Sequence, residues 1–181
     1  MNTYFENYFQ KLSKLTSDIK TKKLIEVAEL ISSKNLNGKK IIIAGNGGSA
    51  SIASHISVDL IKSAKIRCLN FNEPNLITCF SNDFGYENWI KEALNIYAST
   101  NDIIILISSS GKSMNMINAA KKSKEIGMKL ITFTGFNIDN PLRKYGDLNF
   151  WVDSKNYNYV EMTHHIWLVS IVDFIVEQKN E

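Results

Sequence analysis

Two short segments rich in glycine and serine are the residues best suited to bind a ligand. The first, residues 45–50, reads GNGGSA, and the second, residues 108–113, reads SSSGKS. Each follows an apolar, strand-like run and precedes a helical pattern. Glycines let the backbone turn sharply beside a ligand, and the N–H groups and dipole at a helix start attract an anion. Four serine hydroxyls in the second segment add donors, so both segments are predicted to bind phosphate.

Other interpretations of the two segments fit less well. The glycine spacing in GNGGSA matches a dinucleotide-binding fingerprint, but that fingerprint expects an acid at the end of the next strand, where Asn stands. The GKS triplet matches the end of a Walker A loop, but Leu106 replaces its first glycine. We therefore expect no nucleotide cofactor. Simple N-capping by Ser110 or Ser113 remains the alternative to phosphate binding.

Histidines and acids on two predicted helices could transfer protons. His55 and Asp59 are four residues apart in the helix after GNGGSA, so they share one face. His164 and His165 are adjacent in the last helix and point about 100° apart, so only one of them can face a given site. An imidazole beside a carboxylate is suited to general acid–base chemistry.

The elements that must position these residues alternate along the chain. Apolar runs predict strands at about 39–44, 66–71, 102–107, 129–134 and 148–152. Helical patterns lie at about 49–63, 85–98, 113–126, 139–145 and 159–178. Two further helices are predicted in the first 35 residues, and the first of them carries an apolar stripe that includes the aromatic residues Tyr4, Phe5, Tyr8 and Phe9. The strands lack polar alternation, as strands buried on both faces do. Strands alternating with helices predict an open parallel α/β sheet.

Composition narrows the class of protein. The 181 residues are 44% hydrophobic and 22% charged, with a net charge of +3. Of 21 basic residues only Arg67 and Arg143 are arginine, so we expect no nucleic-acid partner. We see no membrane span and no signal peptide. Cys68 and Cys79 both lie in apolar, strand-like segments, and we expect them to be buried, reduced thiols. These features favour a cytoplasmic protein.

The motifs together resemble the sugar isomerase (SIS) domain family, and within it the phosphoheptose isomerases. The resemblance rests on residues 45–50, His55, residues 82–86, residues 108–113 and residues 127–135. It implies a flavodoxin-like, five-stranded parallel sheet flanked by helices, with an N-terminal helical extension. It also implies a homotetramer with active sites where subunits meet.

This resemblance extends over nearly the whole chain and implies one SIS domain over residues 1–181. Residues 1–37 would be helices for oligomerisation, and residues 38–181 the α/β core. The implied reaction is aldose–ketose isomerisation through an enediol, from sedoheptulose 7-phosphate to D-glycero-D-manno-heptose 7-phosphate, towards heptose in bacterial surface polysaccharides such as lipopolysaccharide and capsule.

The resemblance also assigns site residues by position. Asp83 falls on an active-site aspartate and would be catalytic. The positions of the phosphate loops, which would bind the substrate phosphate, are Gly47, Gly48, Ser49, Ser108, Ser109, Ser110 and Ser113.

The family pattern for zinc is incomplete in this chain. In the resembling isomerases the helix after the first loop carries His and Glu near a zinc ion, with Glu as the base; here those positions are His55 and Asp59. The family's last helix carries a Gln, a His three residues later and a second His five residues further on. Aligned without a gap, the three family positions fall on Met162, His165 and Ser170. After a shift of one residue they fall on Glu161, His164 and Val169. Both alignments lose the last His.

Two ligands are too few for tight zinc binding. Glu161, or a histidine from a neighbouring subunit, could complete a set with His55 and Asp59. Our hypothesis is a metal-independent or weakly metal-bound site in which Asp59 and His165, or His164 in its place, transfer protons.

A second hypothesis is a non-catalytic SIS protein. Some members of the family bind a replication initiator, and a phosphosugar-binding regulator would also use this fold. The retained Asp59 and Asp83, together with both serine segments, favour an enzyme over a scaffold.

Overall fold

A computed structural model describes residues 2–180. Over that range the chain forms five β-strands, seven α-helices and one short 3-10 helix. The strands are β1 (Ile41–Gly45), β2 (Cys68–Asn70), β3 (Ile103–Ser108), β4 (Lys129–Thr134) and β5 (Leu148–Trp151). The helices are α1 (Asn2–Ser17), α2 (Thr21–Leu36), α3 (Gly48–Lys62), α4 (Pro74–Phe84), α5 (Trp89–Tyr97), α6 (Met114–Ile126) and α7 (Tyr157–Asn180), and the 3-10 helix is Pro141–Lys144.

The five strands form one parallel sheet in the order β2-β1-β3-β4-β5. Every residue of β1 and β3 is buried, which explains their unbroken isoleucine runs. The predicted parallel α/β fold is confirmed. In this strand order the chain reverses its direction of winding between β1 and β3, and ligands bind at such a switch point, beyond the carboxyl ends of the strands.

Helices cover both faces of the sheet. On one face, α2, α3 and α7 pack through a core that includes Ile31, Ile56 and Ile171. On the other face, α5 and α6 pack through Trp89 and Met116. Helices α3 and α7 therefore lie side by side, and this contact brings residues from distant parts of the sequence together.

One helix was missed by the sequence analysis. Helix α4 lies where no element was expected, and the helix predicted from residue 85 begins only at Trp89. Local chemistry explains α4, because a proline occupies its first turn and the Glu73 side chain accepts a hydrogen bond from Leu76 N at 2.8 Å. A helix was also predicted over residues 139–145, but only the short 3-10 helix Pro141–Lys144 forms there.

The two cysteines have different environments, contrary to expectation. Cys68 is buried, and burial raises the pKa of its thiol to about 12. Cys79 is exposed on α4 instead of buried in a strand. The expectation of two buried thiols was therefore wrong for Cys79, because its apolar neighbours belong to an amphipathic helix.

By length and composition alone, α7 is the one described helix that could cross a membrane. Of its most apolar window, 44% is buried within the protein. Leu168, Ile171 and Val172 form part of the core under the sheet. This burial is what a core helix shows, and such a helix passes the same test.

The aromatic stripe predicted on the first helix divides between two surfaces. Tyr8 stacks on Tyr159 of α7 with ring centroids 4.7 Å apart, and Trp167 Nε1 donates to the Thr16 carbonyl at 2.8 Å. The remaining aromatic side chains are more than 60% exposed: Tyr4, Phe5 and Phe9. Helix α1 thus packs on α7 of the same chain and still presents an apolar surface.

His164 is a core residue and does not face a site. It is completely buried, and its Nε2 lies 3.0 Å from the Thr134 carbonyl, so the neutral ring carries its proton on Nε2 and donates there. Burial lowers the pKa of His164 to about 4, although the bond to Thr134 acts in the opposite direction. The ring is therefore neutral at physiological pH.

This environment predicts an acid-sensitive contribution to stability. The unfolded chain protonates His164 near pH 6.5 and the folded chain only near pH 4, so acid favours the unfolded state. The stability advantage of the native chain over His164→Gln is expected to shrink by about 3 kcal/mol between pH 7 and pH 4. Urea unfolding of both proteins at matched concentration measures this; a pH-independent difference would contradict it.

Candidate active site

The two predicted phosphate segments meet in one cavity, here named the anion cradle. Parallel pairing aligns Gly45 of β1 with Ile107 of β3, so the loops after these strands lie side by side. The cavity measures about 260 Å³. Its lining residues are Asn46, Gly47, Gly48, Ser49, Ile107, Ser108, Ser109, Ser110, Ser113, Tyr157 and Glu161. All seven predicted phosphate-binding residues are among them, and their role in binding stays a prediction.

Glycine is required at two positions of the first loop. A Cβ atom on Gly45 would lie 2.4 Å from the carbonyl of Ser49, closer than real Cβ atoms approach. Gly47 has φ +54°, a conformation that other residues rarely adopt. These two features let the chain turn directly from β1 into α3 and direct the start of α3 at the cradle.

Two hydroxyls of the second loop, those of Ser109 and Ser113, are available to a ligand, whereas Ser110 Oγ accepts a hydrogen bond from Lys112 N at 3.3 Å. Ser109 is 5% exposed, and its Oγ has no hydrogen-bond partner among the described residues. Ser113 occupies the N-cap position of α6 without making a side-chain capping bond. N-capping therefore does not explain Ser113, and a buried hydroxyl without a partner indicates a missing acceptor.

Glu161 is a carboxylate within the anion cradle. Its Oε2 lies 2.3 Å from the position that a Cβ on Gly48 would occupy, so the carboxylate rests directly on the first turn of α3. Partial burial raises the pKa of Glu161. The positive end of the α3 dipole attracts anions. In this structure the carboxylate of Glu161 occupies that position.

A second cluster lies further along the same two helices. His55 Nδ1 is 2.7 Å from His165 Nε2, and His55 Nε2 is 3.1 Å from Asp59 Oδ2. Partial burial and the neighbouring His55 lower the pKa of His165, while Asp59 acts in the opposite direction. We name this chain of three side chains the histidine relay. Of the two adjacent histidines, His165 is therefore the one that meets His55.

The histidine relay borders a cavity of about 400 Å³. Its lining residues are His55, Met162, His165, Ile166, Val169, Ser170 and Asp173. Glu161 and His165 are four residues apart on α7, which corresponds to about 6 Å along the helix axis. The anion cradle and the histidine relay are therefore separated by a distance that one sugar phosphate can span.

The structure does not assemble the predicted metal ligands. Glu161 lies in the anion cradle, whereas His55 and Asp59 belong to the histidine relay. The described part of the chain contains no group of three or more His, Cys, Asp or Glu side chains that could hold a metal ion. Met162 and Ser170, at the gap-free family ligand positions, contribute a thioether and a hydroxyl, which are poor zinc ligands.

Asp83 is not part of either cavity. It is exposed near the end of α4, where Asn82 Nδ2 donates to its Oδ1 at 2.9 Å. Neither the anion cradle nor the cavity beside the histidine relay includes it. Within one subunit, the structure thus does not bring Asp83 to Asp59 and His165.

Sequence reasoning missed two polar residues of the cradle. Asn46 lies inside the GNGGSA segment, so its position was visible although no role was assigned to it. Tyr157 begins α7 and reaches the cradle only because that helix packs beside α3. Nothing in the local sequence around Tyr157 indicates this.

Comparison with known proteins agrees with the fold. The family model described as the SIS domain matches residues 3–135. The chain belongs to the SIS domain family. It is 33% identical to the phosphoheptose isomerase of Thermodesulfovibrio yellowstonii, over 84% of this chain and 80% of that protein. It is 29% identical to the phosphoheptose isomerase of Buchnera aphidicola, over 94% of this chain and 93% of that protein.

Solved structures show the same SIS fold. The phosphoheptose isomerase from Francisella tularensis superposes with a TM-score of 0.88 at 24% identity, covering 97% of this chain and 96% of that one. The protein of that name from Neisseria gonorrhoeae gives a TM-score of 0.87 at 22% identity, over 96% and 98%. The resemblance inferred from the sequence motifs is therefore confirmed.

The position of Glu161 predicts that it competes with phosphate. Glu161→Gln keeps the shape of the side chain and removes its charge, so inorganic phosphate is expected to bind about tenfold more tightly. Isothermal titration calorimetry at pH 8 measures the affinity. Glu177→Gln, an exposed position on α7, is the matched control and should bind as the native chain does. Equal or weaker binding by Glu161→Gln would show that no such competition exists.

Proposed function

We propose that this SIS-domain protein is an aldose–ketose isomerase that converts sedoheptulose 7-phosphate to D-glycero-D-manno-heptose 7-phosphate. The observation that carries the proposal is the pairing of an anion cradle with a histidine relay on the same two helices. The relatives named phosphoheptose isomerase support the choice of a seven-carbon sugar. The product would enter heptose synthesis for bacterial surface polysaccharide, in the cytoplasm.

The anion cradle would hold the phosphate without arginine or lysine. Its lining offers serine hydroxyls, loop N–H groups and the starts of α3 and α6, which together can replace a hydration shell. Binding of phosphate requires Glu161 to move away from Gly48 or to accept a proton. The sugar then extends along α7 towards His165.

The histidine relay would move the protons. Asp59 accepts from the Nε2–H of neutral His55, whose Nδ1 then accepts from the Nε2–H of His165; these tautomers are assigned from the hydrogen bonds. Nδ1 of His165 remains unprotonated and can take a proton. Isomerisation removes the proton from C1 of the ketose and returns it to C2, while another proton moves between the two oxygens, so one base at both carbons suffices.

The lowered pKa of His165 fits this role. Burial and the neighbouring His55 lower the pKa of His165, which favours the neutral ring, and only the neutral ring is a base. The proposal routes no proton through a metal, and residues 2–180 of one chain hold no group of three or more His, Cys, Asp or Glu side chains that could bind one.

We also propose that the site is completed by a second subunit within a homotetramer. The His55 side chain is 51% exposed, although proton transfer is favoured where water is excluded. Met162 and Ile166 line the same cavity as His55. Four apolar side chains on the same two helices are exposed: Val58, Ile61, Met162 and Ile166. Such a surface indicates association, and a neighbouring chain could then bring its Asp83 to this site.

Turnover of sedoheptulose 7-phosphate tests the proposed activity directly. NMR of the products is expected to show the aldose phosphate. His165→Asn should lower kcat by about 10²–10⁴-fold with a smaller change in KM, because it removes the base and leaves the cradle intact. Retained binding of inorganic phosphate by His165→Asn is the control.

Chelation and metal analysis complete this test. Activity should survive chelation, and the purified protein should contain no stoichiometric zinc; tightly bound zinc at one ion per subunit would overturn the metal-free mechanism. If the native chain binds phosphate and turns over no substrate, the non-catalytic phosphosugar-binding protein becomes the better hypothesis.

The N-terminal helix is expected to be needed for assembly. Removing residues 1–20 should yield monomers or aggregates in light scattering, because it deletes the apolar surface of α1 and its contacts with α7. Replacing Tyr4, Phe5 and Phe9 together by Ser is the matched variant. It should weaken assembly and preserve the circular dichroism spectrum. A soluble tetramer after truncation would refute this role.

A further inference from the structure

A reciprocal pair of amide side chains joins the two loops of the anion cradle. Asn46 lies in the loop after β1, and Asn115 lies in the first turn of α6, two residues after Ser113. Asn46 Nδ2 donates to Asn115 Oδ1 at 3.0 Å, and Asn115 Nδ2 donates to Asn46 Oδ1 at 2.9 Å. These two hydrogen bonds connect residues 69 positions apart in the sequence.

Further hydrogen bonds fix both amides. Met116 N donates to Asn115 Oδ1 at 3.0 Å, and the Tyr86 hydroxyl donates to Asn46 Oδ1 at 3.1 Å. Each amide oxygen therefore accepts two hydrogen bonds. These bonds determine which atom of each amide is the oxygen and which is the nitrogen. Asn115 is only 2% exposed, so water cannot readily replace these bonds.

Asn115 does not itself reach the ligand space. Asn46 lines the cradle, whereas Asn115 is absent from its lining and lies behind Asn46. Any effect of Asn115 on a ligand must therefore pass through the position of the first loop. This distinguishes it from the serines, whose hydroxyls border the cavity.

We propose that Asn115 is a positioning residue that sets the spacing between the two phosphate-binding loops. This proposal rests on the cradle of the proposed function, but not on its isomerase chemistry. One phosphate must meet donors from both loops at hydrogen-bond distance, so its affinity depends on how well that spacing is held before binding. Strand pairing holds only the first residues of each loop in place. The amide pair holds the two loops together beyond the ends of the strands.

The test compares two asparagines on α6. Asn115→Leu removes the amide pair and keeps the number and branching of the side-chain heavy atoms. Asn118→Leu is the matched control, because Asn118 Nδ2 donates to the Glu87 carbonyl at 3.0 Å and makes no bond to the first loop. The measurements are the dissociation constant of inorganic phosphate by calorimetry, well below each melting temperature, and the melting temperature itself.

Asn115→Leu is expected to weaken phosphate binding about tenfold or more, and Asn118→Leu by less than about twofold, although both lower the melting temperature. The single variant Asn46→Ala and the double variant that combines Asn46→Ala with Asn115→Leu should bind phosphate equally weakly, because the two amides act as one unit. If Asn115→Leu does not fold, Asn115→Ser replaces it.

Native affinity in a folded Asn115 variant would overturn the proposal and leave the amide pair a structural feature only. Equal losses of phosphate affinity in Asn115→Leu and Asn118→Leu would also overturn the proposal. A native chain that binds no phosphate would overturn it as well. A native chain that binds phosphate without turnover would contradict the isomerase, while the comparison of the variants would still decide the role of Asn115.

Discussion

The parallel pairing of β1 with β3 is the contact on which the rest of the site depends. It aligns Gly45 with Ile107 and so places two loops of distant sequence at the same edge of the sheet. From this edge α3 leaves to one face and α6 to the other, and their N-termini converge on one cavity. Neither loop alone surrounds a phosphate. Because the lining offers no lysine or arginine, the geometry set by the two strands must replace direct charge pairing.

The packing of α7 on α3 adds the chemistry to this cradle. Adjacent residues on a helix diverge by about 100°, and α7 uses this divergence to send His164 into the core and His165 to His55. The buried face of α7, which includes Leu168, Ile171 and the hydrogen-bonded His164, sets the rotation of the helix. The same rotation places Glu161 on the first turn of α3. One buried helix face thus orients both the histidine relay and the carboxylate in the anion cradle.

Much of the fold could be predicted because strong local patterns specify it. Apolar runs, which are richest in isoleucine in β1 and β3, predicted all five strands, and the helices between them predicted a parallel sheet. Helix α4 was missed because its capping signal, an acid at Glu73 before a proline, lies within a segment that also suits a strand. The aromatic stripe of α1 was found, but its division between Tyr8, inward, and Phe9, outward, depends on where α7 lies.

The sequence by itself determined the elements, the two loops and the residue types available for chemistry, because each is encoded within a few neighbouring positions. The packing of the helices and strands settles which of the adjacent histidines meets His55, that Glu161 lines the anion cradle apart from His55 and Asp59, and that Asn46 meets Asn115. Each of these outcomes depends on contacts between residues more than 60 positions apart in the chain. Such contacts are set by the packing of whole elements, which local patterns do not record.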